Sequence, residues 1–144
     1  MSTSSRVSTV WVRALVLCED VRFELGGTMT LVGVLADRIV VGGDDGELVI
    51  PRLAIYSVVA GLTGATELSW RHVLSAEGSE PGELIAHGAE RHDGAFDEHR
   101  VVNLVSPLVL PGPGRYRLAS EFETARARRS IDYHIVIERA PPPG

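Results

Sequence analysis

Apolar and polar residues alternate along much of this chain with a period of two. The clearest run is Ile131, Tyr133, Ile135 and Ile137, interleaved with Asp132, His134, Val136 and Glu138. Successive side chains of a β-strand point to opposite faces, so the first set is predicted to face a core and the second mostly water. Upstream, Tyr116, Leu118 and Phe122 oppose Arg115, Arg117, Glu121 and Glu123 in the same way. Residues 124–129 then join the two strands as a terminal hairpin. Further strands are predicted around Leu68, Trp70 and Leu74, at 39–41, and in the apolar runs 10–18, 28–35 and 53–62. The stretch 100–110 is apolar on both faces, which marks a central or covered strand. It ends in Leu110-Pro-Gly-Pro-Gly, which cannot continue a ladder.

Nowhere do apolar residues recur at a sustained spacing of three or four, and only 121–130 is helix-friendly. Glycines and turn pairs such as Gly26-Gly27 and Pro81-Gly82 punctuate the chain at sandwich spacing. The expectation is an all-β, two-sheet antiparallel sandwich, immunoglobulin-like or a related Greek key, of about eight strands. It forms a single domain over 7–139, with 1–6 and 140–144 as disordered tails. The predicted core comprises Leu15, Leu17, Leu31, Ile55, Trp70, Leu104, Tyr116, Leu118, Phe122, Tyr133 and Ile135.

Composition narrows the partners. A formal charge of -5 over 144 residues disfavours nucleic acid and anionic membranes, both of which demand a positive field. The single cysteine, Cys18, cannot make an intrachain disulfide, which fits a reducing compartment. The run 10–18 is interrupted by Arg13 and followed by Glu19-Asp20, unlike a secretory leader, and no apolar run reaches membrane-spanning length. A cytoplasmic protein is expected.

Two stretches carry a likeness: Arg13-Ala-Leu-Val-Leu-Cys-Glu-Asp-Val-Arg with Thr30-Leu-Val-Gly-Val-Leu, and Leu110-Pro-Gly-Pro-Gly-Arg-Tyr-Arg-Leu. Together they resemble a family of small bacterial proteins of about this length, a domain of unknown function that implies no activity. The second stretch also resembles a late strand of immunoglobulin-like sandwiches. That likeness implies a Tyr116 hydroxyl bonded to backbone at the corner, although the usual acidic residue before Gly114 is replaced by Gly112 and Pro113.

Candidate chemistry is sparse. His87, Glu90, His92, Asp93, Asp97, Glu98 and His99 crowd one segment, and imidazoles with carboxylates are what zinc, iron or manganese take as ligands. Their spacing matches no compact ligand pattern, so a polar loop is the plainer reading, with His87, His92, Asp93 and His99 as the weak metal candidates. His72 shares a face with Trp70 and Leu74 and is predicted to be partly buried and hydrogen-bonded, while His134 belongs on the surface. Cys18 ends an apolar strand beside two acids and reads as structural. Asp44, Asp45 and Glu47 suggest turn chemistry more than a calcium site. Arg126, Arg128 and Arg129 lack interleaved aromatics for stacking bases. No phosphate loop or nucleophile elbow is present.

These readings favour a non-catalytic protein-interaction module, acting on a protein partner or by self-association. No catalytic residue and no cofactor is expected. The alternatives are a metal-binding protein or metal-dependent enzyme using His87, His92 and His99, and a small-ligand or carbohydrate binder using Trp11 or Trp70.

Overall fold

The computed structural model describes residues 10–42, 46–62, 64 and 66–141. Among these are eleven strands and no helix: β1 (Trp11–Phe23), β2 (Met29–Leu35), β3 (Arg38–Val41), β4 (Leu48–Ile50), β5 (Leu53–Ala60), β6 (Thr66–Ala76), β7 (Glu83–His92), β8 (Glu98–Val105), β9 (Leu108–Leu110), β10 (Gly114–Glu123) and β11 (Arg128–Arg139). The expectation of about eight strands was too low. A sheet ordered β2-β1-β5-β8 packs on one ordered β3-β11-β10-β6-β7, and a small β4-β9 pair accompanies them. With β1-β5-β8 facing β11-β10-β6-β7, this is the immunoglobulin Greek-key arrangement. One pair departs from the antiparallel expectation, since β3 runs parallel to β11.

Alternation dictates which side chains meet between the sheets. Leu17 and Ile55 from one sheet pack with Leu118 and Ile135 from the other, and the β4-β9 pair adds Leu48, Ile50, Leu108 and Leu110 to the same cluster. A second cluster gathers Val59, Leu68, Trp70, Val101 and Phe122. Each such side chain stabilises the fold by roughly 1.5–3 kcal/mol when taken wholly out of water. Two hydrogen bonds tie polar groups in this interior: Trp70 Nε1 donates to Asn103 Oδ1 at 2.8 Å, and His72 Nδ1 meets Ser120 Oγ at 2.7 Å, while Ser57 Oγ, His72 Nε2 and Asn103 Nδ2 are buried without a partner. The corner before β10 is tied as the likeness implied, with Tyr116 Oη donating to the Gly112 carbonyl at 2.5 Å.

The β1–β2 hairpin does something alternation does not reveal. Arg100 donates to the Gly27 carbonyl at 3.3 Å, although Arg100 shares a rung with Val58 and Ala14, far back along β1. A straight hairpin would hold Gly27 roughly 40 Å from that rung at about 3.3 Å per residue. The hairpin therefore reverses, and the reversal falls where the ladder skips the Glu19–Gly33 rung. Gly33 has φ +64° there, a left-handed conformation that side chains disfavour. The distal half of the hairpin lies over the outer face of the four-stranded sheet. Its Val21, Met29 and Leu31 join Cys18, Ala54, Tyr56 and Val102 in a third apolar cluster.

Three expectations are corrected. Leu104 is 68% exposed rather than core, because it pairs with Ala54 on the outer face instead of the inner one. The stretch 100–110 is two strands, broken at Ser106-Pro107, where proline offers no N–H to a ladder. Ala140 is not a free tail, since its N–H bonds to the Val41 carbonyl at 2.8 Å. Residues 1–6, 142–144, Asp44 and Asp45 lie outside the described residues. No described helix is long and apolar enough to cross a membrane.

Candidate functional site

The histidine-rich segment is not a loop, as the sequence suggested, but mostly strand. His87, Glu90 and His92 belong to β7 and His99 to β8, with 93–97 making the crossing from one sheet to the other. Most side chains of the edge strand β7 are exposed or only partly buried, so it lacks the apolar alternation that would mark it. The crossing is held by local bonds. Asp93 Oδ1 accepts from Ala95 N at 2.9 Å, and the Leu62 N–H donates to the Asp97 carbonyl at 3.0 Å.

This crossing brings two of the four metal candidates together. His92 Nδ1 lies 3.2 Å from His99 Nδ1, the rings set edge to face at 80°. The far nitrogen of His99 contacts Glu90 Oε2 at 2.7 Å, and that of His92 contacts the Phe96 carbonyl. A carboxylate and a carbonyl can only accept, so both Nε2 atoms carry the hydrogen. In the neutral rings both Nδ1 lone pairs then point at one another. His87 stands on the opposite face of β7, on a rung with Arg71, and Asp93 caps its own turn. No group of three metal-ligating side chains forms among the described residues.

The two histidines open into a cleft of about 580 Å³, also lined by Gly27 and Met29 from the folded-back hairpin and by Arg91, Asp97 and Arg100. The residues missed by sequence reasoning are thus Gly27, Met29 and Arg100, which only the reversal brings here. Around the same end stand three large apolar side chains with little cover: Phe23 at 69% exposure, Leu25 at 101% and Phe96 at 77%.

The remaining candidates stand apart from this cleft. Cys18 is buried with its sulfur 3.8 Å from the Ala54 carbonyl, and burial pushes its thiol pKa up, away from a reactive thiolate. His72 is buried and its pKa is pushed down to about 4 by desolvation, so it is neutral at pH 7. His134 is exposed. Trp70 is buried and bonded, which removes it as a sugar platform, while Trp11 is partly exposed. Arg128 is paired with Glu121 and Glu123, leaving the tip less basic than its sequence reads. Glu47 is exposed. No family model matches the chain, and no curated protein matches it either.

Proposed function

We propose that this protein is a non-catalytic interaction module that associates with a second copy of itself through the rim carrying Phe23, Leu25 and Phe96. The observation supporting this reading is the exposure of three large apolar side chains on two segments that converge at one end of the sandwich. Isolated exposed apolar residues are ordinary, but a cluster at one rim marks a contact surface. An apolar rim repeated by a two-fold axis is self-complementary, and two-fold dimers are the commonest assemblies.

The area sets the strength. At roughly 150 Å² each, the lower end for a large buried aromatic, Phe23, Phe96 and the smaller Leu25 would together contribute at most about 450 Å² per copy. A pair would bury at most about 900 Å², below the ~1,000 Å² at which specific interfaces begin. The association is therefore weak, reversible and concentration-dependent. Sedimentation velocity over a wide concentration range tests it. The native chain should shift towards dimer as concentration rises, and Leu25→Asp with Phe96→Asp should keep it monomeric. A native chain that stays monomeric throughout overturns the reading. A cytoplasmic setting accords with a lone, buried Cys18.

A further inference from the structure

We propose that His92 and His99 form a binding site for one divalent transition-metal ion of the zinc, nickel and copper class, held between their Nδ1 atoms. Three observations carry it, independently of the contact reading above.

The first is the clash of lone pairs. With both Nε2 hydrogens committed to Glu90 and the Phe96 carbonyl, two Nδ1 lone pairs face each other at 3.2 Å. A cation between them, either a shared proton or a metal ion, relieves that clash. The second is the spacing. Two imidazole nitrogens at about 2.0–2.1 Å from a tetrahedral ion stand about 3.3 Å apart, and here they are 3.2 Å apart. The third is the outer support. Metal-bound histidines almost always give their other N–H to a carboxylate or a backbone carbonyl, which fixes tautomer and ring orientation. Here one ring has the carboxylate and the other the carbonyl. Imidazole donors select borderline transition ions over calcium or magnesium.

Two side chains do not complete a coordination sphere, and no third ligating group converges among the described residues. The open positions face the cleft, which Asp93 and Asp97 also line, so water or a carboxylate donor can enter there. His87 takes no part, because it points away from the other face of β7. A bound ion would clamp β7, the edge of one sheet, to β8, the edge of the other.

Titration of the full chain with Zn(II), by calorimetry and by melting temperature, tests the site, and Co(II) absorption reports the coordination geometry of the bound ion. One equivalent should bind, raise the melting temperature and shift and intensify the Co(II) d–d bands relative to the aqua ion. His99→Gln should abolish uptake. Glu90→Gln, on an exposed side chain that leaves the core untouched, should weaken it about 10–100-fold by freeing the His99 ring. His87→Ala and His134→Ala should change nothing. The proposal is overturned if the folded native chain takes up no stoichiometric Zn(II) or Co(II). It is equally overturned if uptake survives His99→Gln in a folded variant, or if nitrogen-15 spectra show the two Nδ1 atoms sharing a proton that excess Zn(II) does not displace.

Discussion

His72 makes the stability of this fold depend on pH in a way that can be worked out in advance. The ring is wholly buried between the sheets, edge-on to Phe122 at 5.8 Å, with Nδ1 on Ser120 Oγ. Burial disfavours the imidazolium and lowers the folded-state pKa from 6.5 to about 4. The unfolded chain keeps the ordinary value, so between these limits it binds one more proton than the folded chain. Stability from this residue is therefore complete above pH 6.5 and falls by about 1.4 kcal/mol per pH unit as pH drops towards 4. The full loss is about 3 kcal/mol, and near pH 5 it is about 2 kcal/mol. Urea denaturation between pH 7.5 and 4.5 measures this directly. Carboxylates titrate over part of the same range, so the native chain is compared with His72→Met, which lacks the titrating ring. The native curve should fall more steeply than the variant's, by about 2–3 kcal/mol across the range. Parallel curves, within about 0.5 kcal/mol, would refute the argument that desolvation sets the ionisation of this ring.

Three further substitutions probe the framework. Gly33→Ala places a side chain at φ +64°, with its Cβ 2.8 Å from Glu19 atoms that can swing aside, so backbone strain should cost about 1–2 kcal/mol; amide exchange should rise over the distal hairpin first. Tyr116→Phe removes the bond to the Gly112 carbonyl and should cost about 1 kcal/mol in urea denaturation without altering the circular dichroism. Gly88→Ala would set a Cβ 2.8 Å from the buried Trp70 ring, which is locked by its bond to Asn103; overpacking should cost about 1–3 kcal/mol and perturb tryptophan fluorescence.

The parts of the fold that were legible in the sequence are those where one strand face is buried and the other wet. β10 and β11 are the clearest, with Tyr116, Leu118 and Phe122 buried and Arg115 and Glu121 less so. His72 was legible as a hydrogen-bonded residue on the core face because its neighbours at two-residue spacing are core, although it is wholly rather than partly buried. β7 was not legible, since an edge strand with Glu83, His87 and Glu90 has no dry face to set a pattern. Leu104 misled because β8 is apolar on both faces from Val101 to Val105, and alternation cannot say which face meets the second sheet. The reversal at Glu19 and Gly33 was invisible for a related reason: Val21, Met29 and Leu31 look like continued strand and are buried only because the hairpin doubles back. Without that reversal the cleft has no Gly27 or Met29, and the meeting of His92 with His99 across a sheet-to-sheet crossing has no local spacing rule to announce it.

The proposed contact rim, and the cleft into which the histidine pair opens, depend on the hairpin tip lying beside the β7–β8 crossing. Spin labels at Leu25→Cys and Glu98→Cys, in a Cys18→Ala background, measure that separation directly by pulsed electron resonance. The folded-back hairpin predicts a distance far below the roughly 40 Å that a straight two-stranded extension would impose. A distribution centred near that longer value would contradict it.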